Sequence, residues 1–131
     1  MESDLIAYLL ADAGVAAVLG SEVHFTEWPA SGVQPAAALV LGPSFGDVEK
    51  TSRGLVRRQV VTVQSEVWAL DPAVAIAAVD AVVAAISGIE ARRAGCLLNG
   101  SVDRRGGGIA KAPDGRRMIR AIVDLNITFK L

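Results

Sequence analysis

"RRQVVTVQSEVWALDPAVAIAAVDAVVAAI", residues 57 to 86, holds in one stretch both of the periods from which a mixed fold is built. From Arg58 to Ala69 the chain alternates: Val61, Val63, Val67 and Ala69 fall on one side, while Gln59, Thr62, Gln64, Glu66 and Trp68 lie mostly on the other. That period predicts a strand over 58–69 with one face buried and one face polar. Asp71 and Pro72 then mark a helix start, because an Asp side chain accepts the unpaired amides of the first turn and a proline there loses no hydrogen bond. The helix is expected to run to about Ile86 and to stop at Ser87 and Gly88.

This helix is apolar nearly all round. Val74, Ile76, Val79, Val82, Val83 and Ile86 are spread over more than one face, and Asp80 is its only charge. Such a helix needs cover on more than one side. One face can lie on a sheet; the other is left for the first helix or for a neighbouring subunit. Downstream, Met118 to Leu131 alternates cleanly, with Ile119, Ala121, Val123, Leu125, Ile127 and Phe129 against Arg120, Asp124, Asn126, Thr128 and Lys130. A long strand of well-specified register follows, with Cys96 to Val102 as its antiparallel partner. Between the two lies "DRRGGGIAKAPDGRR", residues 103 to 117, where Arg104, Arg105, Lys111, Arg116 and Arg117 surround three consecutive glycines. Its residues leave three readings open: a phosphate cradle, a grip on nucleic acid, or an arm, mobile in the free subunit because glycines make order entropically costly, that a partner orders. The arm is the reading that the family resemblance given below suggests.

Upstream, Ser3 is placed to cap a helix carrying Leu5, Ile6, Leu9, Leu10 and Ala13 at helical spacing. Gly14 interrupts it, Val15 to Leu19 adds a further turn, and Gly20 ends it. A short strand at Val23 to Phe25, a loop from Trp28 to Pro35 and a strand at Ala36 to Leu41, ended by Gly42 and Pro43, come next. Residues 44–56 show no hydrophobic period and are expected to be a long exposed connection, and 44–57, with Arg53 and Arg57, a second arm. The elements together predict one α+β domain over 1–131: a mostly antiparallel sheet of four to five strands, two helices packed on one face, and long mobile loops.

Chemistry is sparse. The single Cys96 excludes an internal disulfide, and with His24 as the only histidine a zinc site lacks ligands. No metal or other cofactor is expected. The glycines join two strands, whereas a phosphate-binding loop sits between a strand and a helix. His24 has no nucleophile motif near it, Cys96 begins a strand as a small hydrophobe, and Asp80 has no partner that would make it a general base, so no enzyme is expected. Asp80 is a solvent-facing residue or a salt-bridge partner at a subunit contact; Trp28 and Trp68 are interface anchors or core. Glu2 and Asp4 open the chain where an export signal would be basic, and Pro72 to Ile89, with Asp80 inside it, is too short to span a bilayer.

The formal net charge of −1 conceals a division. The first 49 residues carry seven acids and no Lys or Arg, whereas residues 50–131 carry all thirteen basic residues and seven acids. The two halves either neutralise each other within one fold or meet head to tail between subunits.

"LIAYLLADAGVAAVLGSEVHF", the central stretch quoted above, and "LLNGSVDRR" with "GRRMIRAIVDLNITFKL" together resemble the tail completion, or tail terminator, family of long-tailed phages and gene transfer agents, the tail-to-head joining proteins. The resemblance covers nearly the whole chain in the order and texture of its elements. It implies a structural protein of the virion or phage-like particle, made in the bacterial cytoplasm and placed at the head-tail junction. Six copies would form a ring that caps the tail tube, ends its polymerisation and meets the head connector or stopper, with DNA passing through the lumen. Its partners would be itself, the major tail tube protein and the connector, with no membrane and no small-molecule substrate. The candidate partner or subunit contacts are Arg53, Arg57, Trp68, Asp80, Arg104, Arg105, Lys111, Arg116 and Arg117. The alternative is a small dimeric regulatory or nucleic-acid-binding domain that uses the basic glycine-rich segment.

Overall fold

The computed structural model describes residues 1–28, 34–50, 57–92 and 94–130, with the side chains of 43–50 and 57 left out of account. The chain order is α1 (Glu2–Ala11), α2 (Ala13–Leu19), β1 (Val23–Phe25), β2 (Ala37–Lys50), β3 (Arg57–Ala69), α3 (Pro72–Ser87), α4 (Ile89–Arg92), β4 (Leu97–Lys111) and β5 (Arg117–Lys130). The strands form one five-stranded sheet in the order β1-β2-β3-β5-β4. All neighbours are antiparallel except β1 and β2, which run parallel.

The expected α+β class holds, with two helices more than expected. The first helix divides at Asp12, not at Gly14, because the Asp12 side chain accepts from the Val15 amide at 2.9 Å and so caps a second helix. Ser3 lies inside α1, whose N-cap is Met1. Asp71 and Pro72 start α3 as expected: the carboxylate accepts the Ala73 amide at 2.7 Å.

The helices cover one face of the sheet. Leu5 and Leu9 of α1, Val15 and Leu19 of α2, and Ala78, Val82 and Ile86 of α3 close over Val63 and Val67 of β3 and Leu125 and Ile127 of β5. α3 therefore gains part of its second cover from α2, within the subunit. The opposite face has a smaller core in which Trp68, Ala112 and Met118 are buried beneath Trp28, with the two indoles edge to face at 5.5 Å between ring centroids.

Both expected loops are corrected where the structure describes them. Residues 44–50 continue β2, and residues 103–111 continue β4, so each hairpin is a long ribbon. Residues 51–56, with Arg53, lie outside the described residues. The reason is the same in both ribbons: a β-bulge absorbs extra residues and hides the period without ending the strand. In β2, Gly42 and Pro43 together oppose Gln64, since Leu41 pairs with Ser65 and Ser44 with Val63. A Cβ at position 42 would stand 2.2 Å from the Gln64 carbonyl oxygen, so only glycine fits. In β4, Arg105 is the extra residue between Arg104 opposite Val123 and Gly106 opposite Ile122. Gly106 takes φ +98° there, a region that side chains rarely enter. The glycines thus serve the strand's bulge and not a mobile arm.

Candidate functional site

The basic glycine-rich segment forms the outer edge of the sheet, and its missing side chains shape a cleft. Residues of β4 and β5 directly opposite each other share a face, and Val123, Leu125 and Ile127 point to the helices. On that face β4 presents Arg104 opposite Val123, Gly107 opposite Ala121 and Ile109 opposite Ile119. Gly107 has no side chain to cover β5, and a Cβ there would lie 2.0 Å from the Arg120 carbonyl oxygen. A cleft of about 380 Å³ consequently opens between the first half of α3, at Ala75, Ile76 and Val79, and the β4–β5 ribbon, at Gly107, Ile119 and Ala121. A second hollow of about 200 Å³ adjoins it between Leu70, Ile109 and Arg117, and Ile119 lines both. Ile76, Ile109 and Leu70 are 62 %, 65 % and 50 % exposed at its margins.

One ion pair spans this apolar floor, and others lie on the sheet's opposite face and at the ribbon's tip. Arg104 of β4 donates through Nη2 to Oδ1 of Asp80 on α3 at 2.9 Å, across the cleft. Arg105 donates to Asp124 at 3.1 Å. Arg120 lies 3.8 Å from Glu66 and over the Trp68 ring. At the ribbon's tip Arg116 holds Asp114 at 2.8 Å and donates to the Pro35 carbonyl at 2.7 Å, which ties the turn to the body. The Arg116 side chain and its backbone amide hold the Asp114 carboxyl below its ordinary range. Lys111 and Arg117 make no ion pair among the described residues.

On the cleft's face the structure brings together Asp80, Arg104, Lys111 and Arg117; Arg105 instead pairs with Asp124, which alternates to the sheet's opposite face. Arg116 belongs to the tip's internal bracing. Trp68 is only 4 % exposed, so a partner could reach it only by displacing Trp28. Arg57 opens β3 at the far end of the sheet. Sequence reasoning named the charges and missed the apolar floor; the signal was present in Ile76, a large apolar residue on a helix with more apolar faces than its own fold covers.

The candidate chemical groups are all placed structurally. His24 Nε2 meets Glu22 at 2.7 Å. The Cys96 amide donates to Asp4 at 3.0 Å, while burial, with Asp4 beside it, pushes the thiol pKa up. Burial pushes the Asp12 carboxyl up, but the Arg92 hydrogen bond and charge, together with the Val15 and Gly14 amides, hold it below its ordinary range. No group of His, Cys, Asp and Glu among the described residues could hold a metal ion.

One consequence concerns the divided charge. Arg92 with Asp12 joins the first 49 residues to the rest, while Arg104, Arg105, Arg116 and Arg120 all find acids within their own half.

A solved structure titled "Virion of native gene transfer agent (GTA) particle" contains a chain of the same fold. The match has a TM-score of 0.63 at 19 % identity and covers 98 % of this chain and 94 % of that one. No curated protein sequence matches. The family model described as "Tail completion protein gp17" matches residues 3–130, the whole of the sheet and all four described helices apart from α1's first residue, and the chain belongs to that family.

Proposed function

We propose that the chain is a structural tail-completion protein of a virion or phage-like particle, and that six copies close into a ring at the head-tail junction. The ring would cap the tail tube, end its polymerisation, meet the head connector and let DNA pass through its lumen. Membership of the tail completion family carries this reading. The division of charge along the chain supports it, because a heterologous contact joins unlike surfaces and closes into a ring when the rotation permits.

Native mass across a wide concentration range, with electron micrographs of the product, tests the reading. Six-fold rings, alone or on purified tail tubes, are the expected outcome. A stable dimer whose DNA affinity falls steeply with salt would overturn it in favour of a nucleic-acid-binding domain. The ion pairs already made by Arg104, Arg105 and Arg116 weaken that alternative, since those guanidinium groups have carboxylate partners without DNA.

A further inference from the structure

We propose that the cleft between α3 and the β4–β5 ribbon seats the acidic half of a second copy, residues 1–49, and so forms the repeating contact of the ring. The inference rests on the ring reading and adds to it the two surfaces that meet.

The cleft's floor explains why it should be covered at all. Ile76 and Ile109 stand 62 % and 65 % exposed on its two banks, and the Gly107 backbone leaves Ile119 and Ala121 accessible between them. Apolar surface arranged in a concave strip, and not scattered singly, marks a docking site.

The rim selects the occupant. Its acid, Asp80, is already engaged by Arg104, whereas Lys111 and Arg117, paired in register on the cleft's face, have no ion-pair partner among the described residues. An incoming surface therefore meets positive charge and must bring acids. Residues 1–49 carry such charge, with seven acids and no Lys or Arg.

Position completes the argument. β4 is one edge of the sheet, and β1 with β2 is the other edge, flanked by α1 and α2. Within a subunit Asp4 takes the Cys96 amide and Asp12 joins Arg92, but among the described residues no acid of 1–49 pairs with Lys111 or Arg117. Such pairs can form between copies, head to tail.

Zero-length coupling of carboxyls to amines, on a mixture of ordinary and isotopically heavy protein, tests the contact. Lys111 is one of three lysines and the one on the cleft's rim, Lys50 and Lys130 lying at the other end of the ribbons. Links from Lys111 to acids of residues 1–49 on the other isotopic copy are expected. Ile76→Glu and Ile109→Glu, both at exposed positions, should keep the melting temperature and weaken self-association by about tenfold or more each. Lys111→Glu, which leaves the floor intact, should weaken it as well and at low salt most of all.

Rings that form undiminished in the Ile variants, or intermolecular links from Lys111 only to acids beyond residue 50, would overturn the docking and leave the ring reading standing. Variants that form normal rings yet fail to attach to tail tubes would overturn it too, by showing that the cleft receives another protein. A chain that stays monomeric at every concentration and on tail tubes would overturn the ring reading, and the docking with it.

Discussion

Gly42 in the β2–β3 ribbon and Gly107 in the β4–β5 ribbon both sit where a Cβ would strike the strand opposite, at 2.2 and 2.0 Å from a carbonyl oxygen, yet their surroundings differ. Gly42 follows directly on Leu41, which β1 and β3 hold from both sides, whereas β4 is an edge along its whole length with β5 alone beside it. The inner glycine lets a bulge pass through the sheet with the core unbroken. The outer one removes a side chain from a face that a partner can then fill. A glycine's role is thus set by what surrounds the backbone, and the same residue type is structural in one ribbon and a means of exposure in the other.

The back-face cluster bears on this contrast most heavily, because Trp68 of the inner ribbon is what Ala112 and Met118 of the outer ribbon pack against. Trp68→Ala should cost about 3–5 kcal/mol in chemical denaturation. A loss below about 1 kcal/mol would mean that the two ribbons are not coupled through that face. Next comes the direct comparison. Gly42→Ala should destabilise by about 2–3 kcal/mol, since its bulge adjoins Leu41, which is fixed between β1 and β3, and Gly107→Ala by about 1 kcal/mol, since an edge strand can shift outward. Equal losses would erase the distinction between centre and edge. Gly108→Ala, where nothing lies within 4 Å of the added Cβ and φ is ordinary, serves as the neutral control.

The tip of the outer ribbon offers a pH test. Asp114 has its carboxyl held below the ordinary range, first by the Arg116 side chain and then by the Arg116 amide. A carboxylate whose folded pKa is depressed contributes its share above the unfolded value of about 4 and loses it as pH falls through the lowered one. Hydrogen exchange of the turn's bonded amides, Ala112 to the Arg116 carbonyl and Gly115 to the Ala112 carbonyl, should therefore quicken, relative to the inner ribbon, as pH drops below about 4. Arg116→Ala should give the same quickening at neutral pH. An unchanged tip in both experiments would show that Trp68 and Trp28 hold it alone.

Much of this fold was legible because periods survive in long uninterrupted strands. The alternation over 58–69 and 118–131 corresponds to β3 at Arg57–Ala69 and β5 at Arg117–Lys130, and the Asp71-Pro72 signal to α3 at Pro72–Ser87. The bulges were not legible. Two residues against one at Gly42 and Pro43 reverse the parity of everything after them, so 44–50 looked patternless. Past the bulge at Arg105, β4 has a glycine or a solvent-facing residue at most positions, and no hydrophobic period can form. Its pairing is specified by β5, whose apolar alternation supplies the register for both. The cleft was invisible for a related reason: it is made by an absent side chain on one strand and by exposed isoleucines on elements far apart in sequence.

The smallest expected effect concerns Asp80 and Arg104, which bridge the cleft from α3 to β4. Both side chains are 57 % exposed, so water competes for each and holding two flexible groups in one geometry costs entropy. Asp80→Asn should change stability by less than about 0.5 kcal/mol, with a double-mutant cycle against Arg104→Ala giving a coupling of similar size that fades in salt. A weak bridge suits its position. If copies join through the cleft, the bridge must loosen or reorient when a neighbour's acids arrive, and an interaction worth several kcal/mol would resist that exchange. A coupling above about 2 kcal/mol would mark the bridge as a fixed strut of the subunit, and would assign the cleft's mouth to the fold of one chain and not to the contact between two.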